Sequence, residues 1–269
     1  MKKPFLLAAL LGLLLSWPVA AQTRRTVFGW QIWPEAQAEV ALPTGNDYFL
    51  VALRGQSLTD NNGYNDPNRV LGFDERRLTV GYEHFWNEHW SIGATAAYIS
   101  AYNTYVLLPE VLLRHRSSVG PLTFGQRLSL ERVIPGANGA TARTNARLRL
   151  DLEKIVPLGS LSIRPRLSYE AATHVRLLRS NTDADERTID FTSLRGEVGV
   201  RLSPLLDVTP WVAYQTQYSF GLARYDVNGS VIEPAGRANA VSPVVGLEVR
   251  FTFLNGQDAA TRQQLPTQH

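Results

Sequence analysis

The chain has 269 residues, a formal net charge of +3 and no cysteine. The length suits one large domain, and the missing cysteines exclude a disulfide framework and thiolate metal sites. Removing the two leader lysines, Lys2 and Lys3, from that +3 leaves the remaining chain at +1, which excludes the strong cationic field of a nucleic-acid or anionic-surface binder.

Residues 1–21 read as a cleaved signal peptide. Lys2 and Lys3 open it, "FLLAALLGLLL" is the apolar run, and Val19 and Ala21 occupy the −3 and −1 positions before Gln22. The apolar run is shorter than the ~20 residues a helix needs to span a bilayer. Of the 27 basic residues only Lys2, Lys3 and Lys154 are lysine, which leaves 24 arginines. Arginine stays charged when desolvated and holds carboxylates with a planar fork, so this skew suits an enclosed ionic network, although GC-rich codon usage produces it too.

Beyond the leader the chain alternates apolar and polar residues with period two, the pattern of strands. The predicted segments are 25–33, 36–43, 47–57, 73–85, 90–100, 104–116, 121–133, 142–154, 159–171, 187–202, 208–220 and 242–253. Most match the ~9–11 residues of a tilted strand crossing a bilayer. Short turns fall at "PTGN" (43–46), "WNEH" (86–89), "SSVG" (117–120), "IVPLG" (155–159) and "SPLLD" (203–207). Longer connections at 58–72, 134–141, 172–186 and 221–241 alternate with them, and only the link at 101–104 is short for its side.

Short turns on one rim and long loops on the other predict an all-β fold. It is a single antiparallel transmembrane β-barrel of about 12 strands, with 10 as the alternative, spanning residues 22–253. Twelve requires the chain to reverse around Pro34; if 28–42 is instead one long strand, the count falls by one or the first segment does something else. Residues 254–269 form a polar tail on the periplasmic side. Pro165 falls in mid-strand and predicts a bulge or a broken ladder; Pro109 and Pro210 lie nearer strand ends.

Period two alone does not say which face is inside, and a soluble ligand-binding barrel would bury the leucines. Aromatic placement favours lipid outside. Tyr98, Tyr169 and Tyr218 are expected at one membrane interface, with Phe85, Trp86, Trp90, Phe124 and Phe253 at the other. Parity then points these charged residues into the lumen: Arg54, Arg77, Glu83, Glu110, Arg114, Arg116, Arg127, Glu131, Arg147, Arg149, Asp151, Glu153, Arg164, Arg166, Glu170, Arg195, Glu197, Arg201, Glu248 and Arg250. Twelve arginines face eight acids in this set.

Two readings of the lumen stay open. The surplus of arginine suggests a small or gated anion-preferring pore, whereas cross-strand pairing suggests a closed structural barrel. An outer-membrane lipid hydrolase or acyltransferase is a third. It lacks a triad, because His84 and His115 belong at the periplasmic rim, His89 in a turn, His174 in a loop and His269 in the tail. The oxygen-rich loops 60–68 and 181–186 read as solvated turns rather than cation sites. No cofactor, catalytic residue, metal or nucleic-acid partner is expected. The expected partners are outer-membrane lipid, lipopolysaccharide and the barrel-assembly machinery, around a monomer in the cell outer membrane.

An early tryptophan strand, "FGWQIW", is followed by "PEVLLRHR", "FGQRLSLERV", "ARLRLDLE" and "RPRLSYEA". Over residues 28–253 this succession resembles the bacterial proteins grouped as domain of unknown function 2490. The resemblance implies a small outer-membrane barrel and carries over no catalytic residues.

Overall fold

The computed structural model describes residues 24–59, 71–136, 142–159, 161–175, 188–221, 223–233 and 235–256. Among these every regular element is a strand. The first are β1 (Arg24–Val27), β2 (Gln31–Ala41), β3 (Asp47–Leu58), β4 (Glu75–Phe85) and β5 (Trp90–Ala101). Next come β6 (Thr104–Val119), β7 (Leu122–Pro135), β8 (Arg143–Glu153), β9 (Val156–Leu158) and β10 (Leu161–Val175). The remainder are β11 (Phe191–Ser203), β12 (Leu206–Gly221), β13 (Arg224–Tyr225), β14 (Val231–Glu233) and β15 (Gly236–Phe253).

Eleven of them close into a barrel. From β2 to β8, then through β10, β11, β12 and β15, each strand pairs antiparallel with the next, and β15 returns to β2 in parallel. The expected twelve antiparallel strands are therefore corrected to eleven in a mixed sheet. The reason lies at Pro34, where the chain does not reverse. It runs straight on as β2, opposite Leu247 of β15. β1 precedes it along β15, pairing Arg24 with Ala238 and Val27 with Val241, and one extra residue is absorbed before Gln31 meets Val244. β1 and β2 thus act as one long strand with a bulge. An odd count makes the first and last barrel strands parallel, so both run toward the short-turn rim.

The prolines fit a barrel without edges by opening one ladder each. Opposite Pro165 the partner strand breaks into β8 and β9, whose pairings with β10 share one register on either side of the gap. Pairing of β6 with β7 lapses between Leu107 and Glu110, around Pro109. Pairing of β11 with β12 lapses across Pro210, and that of β2 with β3 across Pro34. A residue without an N–H costs one side of the ladder and leaves the other intact.

The turns follow backbone chemistry. Gly120 (φ 60°) and Pro121 join Val119 to Leu122 in a two-residue hairpin, and glycine at the first central position is what a II′ turn requires. Ala101 pairs with Thr104 across Tyr102 (φ 50°) and Asn103 (φ 60°). Positive φ at both central residues is a I′ geometry, so the short link on the long-loop side is a tight hairpin.

Polarity is inverted relative to a soluble domain. Leu128, Leu130, Leu148, Leu167, Val198, Val212 and Leu247 are exposed on the outer wall, while arginine and glutamate fill the centre. The buried apolar clusters are small. Trp33, Trp211, Ala213 and Val244 form one, and Ala41, Tyr48 and Phe85 form the other. In the first, the indoles meet edge to face at 5.8 Å. Gly246 makes this possible, because a Cβ there would lie 2.1 Å from Trp211 Cε2. Trp211 would have to shift, disturbing the contact with Arg195, which lies 4.0 Å above its ring. Gly246→Ala is expected to destabilise the barrel by about 1–3 kcal/mol through overpacking. Gly196→Ala, whose Cβ meets nothing within 4 Å, should leave the denaturant midpoint in detergent unchanged.

Candidate functional site: the charged interior

The strand registers explain how so much charge is held. Several like charges sit directly opposite one another, such as Arg54 and Arg77, Arg114 and Arg127, and Glu110 and Glu131. Like-charged neighbours across a ladder repel, so at these positions the ion pairs run diagonally or reach over an intervening strand, whereas Arg166 meets Glu197 and Arg201 meets Asp207 directly across the ladder. The inner face of β5 is small, with Ser91, Gly93, Thr95 and Ala97. Across it Arg114 Nη1 of β6 reaches Glu83 Oε2 of β4, while Ser91 Oγ donates to Glu83 Oε1 at 2.5 Å.

Further round, Arg127 Nη2 lies 2.6 Å from both Glu110 oxygens, and Thr95 Oγ1 donates to Glu110 at 3.0 Å. Arg147 bridges two strands, donating to Glu131 at 3.0 Å and Glu170 at 2.8 Å. Glu197 takes Arg166 at 2.5 Å and Arg195 at 2.7 Å. Nearer the short turns, Arg201 pairs with Asp207 at 3.1 Å and Arg164 with Glu153 at 3.9 Å. At the parallel seam Arg250 lies 2.6 Å from Glu248 and 3.3 Å from Glu39.

Of the twenty residues that parity points inward, fourteen are buried. These are Arg54, Glu83, Glu110, Arg114, Glu131, Arg149, Glu153, Arg164, Arg166, Glu170, Arg195, Glu197, Glu248 and Arg250. Arg77, Arg116, Arg127, Arg147, Asp151 and Arg201 are half-buried. Parity missed Glu35, Gln37, Glu39 and Asp207, all buried, and Glu75, which lies 3.6 Å from Arg54. With Glu35, Glu39, Asp207 and Glu75 added, twelve acids meet the twelve arginines. The surplus of four arginines is therefore corrected to an even balance. The signal was present in "EAQAEV", where Glu35, Gln37 and Glu39 alternate with Ala36, Ala38 and Val40.

One aromatic is also corrected. Phe85 is buried and packs edge to face on Tyr48 at 5.5 Å, because it shares the inward parity of Glu83. It plugs the short-turn end instead of meeting lipid. Trp86, Trp90, Tyr98, Tyr169 and Phe253 are exposed. Phe124 and Tyr218 are half-buried, the Tyr218 hydroxyl 3.3 Å from Thr192 Oγ1.

The contacts of His84, His89 and His115 involve no serine. His84 Nδ1 lies 2.7 Å from Asp47 Oδ1, which also accepts from the Tyr82 hydroxyl, and Thr44 donates to Asp47 Oδ2. This group ties the turn before β3 to β4. His115 packs at a 45° tilt against Trp90, ring centroids 4.4 Å apart, and His89 Nδ1 lies 3.1 Å from the Arg116 carbonyl. Among the described residues no group of three His, Asp or Glu could hold a metal ion. His269, the leader 1–21 and the oxygen-rich loops 60–68 and 181–186 lie outside the described residues.

Among the described residues, interior space includes three cavities. One of about 160 Å³ touches Arg54, Arg77, Arg147 and Arg195 in the long-loop half. A second, of about 40 Å³, adjoins Arg77, Arg127 and Glu131. The third, near Arg114 and Asp151 toward the short turns, is about 10 Å³, barely the space of one water. Of these three, the cavity toward the short turns is the smallest. Comparison with known protein families and with curated proteins finds no match for this chain.

Proposed function

We propose that the chain is an integral outer-membrane β-barrel whose interior is shut by an ionic core. The observation that supports this most directly is the inverted polarity. Leu128, Leu148 and Leu167 stand exposed on the wall while Arg250, Glu39 and Glu248 are 1%, 0% and 1% exposed. In water such a surface is an aggregation hazard; against hydrocarbon it is the stable arrangement. Residues 1–21 would direct export, the assembly machinery would insert the barrel, and lipid with lipopolysaccharide would surround a monomer. In this reading the polar tail from 254 stays in the periplasm, and the chain has no enzymatic activity. We further read it as a relative of the bacterial proteins grouped as domain of unknown function 2490, on the strand motifs quoted above.

A small anion-preferring pore is the second reading, supported by the arginine lining of the larger cavity. The balanced charge and the 10 Å³ cavity toward the short turns favour closure. Purified protein in planar bilayers separates the two. A closed core predicts silence across many insertions. Stepwise anion-preferring current, reduced when Arg147 and Arg149 are neutralised, would establish the pore and overturn closure.

A further inference from the structure

The cavity of about 160 Å³ has a composition that structural packing does not need. Five arginines line it, Arg54 and Arg77 from β3 and β4, Arg147 and Arg149 from β8, and Arg195 from β11, against one acid, Glu170. We propose that this cavity binds a small multivalent oxyanion of the phosphate class. The proposal rests on the closed barrel and its inward charge, and it holds whichever membrane the barrel occupies.

The cations are set in place before any ligand arrives. Arg54 lies 4.2 Å over the Trp33 ring and Arg195 lies 4.0 Å over that of Trp211. The two indoles lock each other edge to face, and Trp33 Nε1 donates to Gln31 Oε1 at 3.1 Å. Arg147 is fixed from behind by Glu131 and Glu170. Guanidinium groups clamped this way lose little freedom on binding, which is where affinity for a small ion comes from.

Arg77 supplies the group that the protein leaves unused. It is half-buried and lines both the 160 Å³ and the 40 Å³ cavities. Its Nε donates to Thr79 Oγ1 at 3.2 Å, and among the described residues it has no carboxylate within 4.0 Å. Its terminal fork is thus available to an oxyanion, in a lumen where other arginines hold glutamates. Guanidinium forks take tetrahedral oxyanions bidentately, and several forks from different strands match an ion with several oxygens better than chloride. A volume of about 160 Å³ accepts phosphate or sulfate but not a bulky ester, since a cavity of roughly 150 Å³ is filled by benzene.

The test uses the full folded chain in detergent micelles, titrated calorimetrically with inorganic phosphate, sulfate and chloride at matched ionic strength. Saturable phosphate binding without chloride binding is expected. Arg77→Gln should weaken it about 10-fold or more, the loss of a charged hydrogen-bonding partner, and Arg77→Lys by less. Arg201→Gln, at the opposite rim beside Asp207, should leave it unchanged. Each variant's fold is checked by its heat-dependent gel migration, so a misfolded Arg77→Gln still leaves Arg77→Lys to read. Absence of saturable binding, or equal weakening by Arg201→Gln, would overturn the site. Neither result bears on membrane location, which lipid insertion tests separately.

Discussion

Replacing Arg250 by methionine is expected to destabilise the barrel by about 3–5 kcal/mol, the cost of breaking a buried ion pair from one side. Arg250 is 1% exposed and sits where the barrel closes, on β15 beside the parallel strand β2. Its guanidinium is the cation shared by Glu248 at 2.6 Å and Glu39 at 3.3 Å, with Gln37 donating to Glu39 at 2.9 Å and Thr252 at 3.5 Å. Methionine matches much of the volume but removes the guanidinium that joins these two carboxylates. Denaturant unfolding in detergent reads the loss. A triple variant, Arg250→Met with Glu39→Gln and Glu248→Gln, should recover most of it, because removing a whole buried cluster costs far less than removing one partner. If Arg250→Met alone unfolds within about 0.5 kcal/mol of the parent, the range of an ordinary surface change, the seam does not depend on this cluster.

How much of this could be read from residues alone varied with the strand. On β7, β8 and β10 leucine alternates with arginine or glutamate, and the contrast between the two faces is large, so both the strand and its inward set were plain. β2 was harder for two physical reasons. Its outer face holds Ile32, Pro34, Ala36, Ala38 and Val40, where alanine contrasts less sharply with glutamate than leucine does, and Pro34 looked like a reversal. In the barrel Pro34 adopts ordinary extended geometry, and its missing N–H costs one ladder contact. From that one misreading came the wrong strand count, the missed Glu35 and Glu39, and much of the apparent arginine surplus. Phe85 was misassigned differently, by residue type in place of parity: aromatic near a rim suggested a belt, whereas its spacing from Glu83 already placed it inside. Ion-pair partners could not be read at all. Many cross strands diagonally or reach over β5, and such choices depend on side-chain size on the strand between.

The second large effect tests whether the outer wall faces lipid. Leu148 lies at the middle of β8 and is 47% exposed, with Leu128 beside it across the ladder. Leu148→Arg is expected to cost about 2–4 kcal/mol in phospholipid vesicles, the depth-dependent cost of a guanidinium near the bilayer midplane. Leu158→Arg, at the hairpin beside Gly159 and equally exposed, should cost about 0–1 kcal/mol, because near an interface the side chain reaches water. In water, exposed substitutions of this kind stay within about 0.5 kcal/mol wherever they sit on the wall. The difference between the two sites is therefore a depth measurement that folding in water cannot mimic. Reversible unfolding from vesicles supplies it, with β6 and β7 offering Val111 and Leu130 as replicates at the same face. Equal small costs at Leu148 and Leu158 would mean that no hydrocarbon covers this surface. The exposed leucines would then have to meet another protein or a second copy of the chain, and the outer-membrane assignment would fall with them.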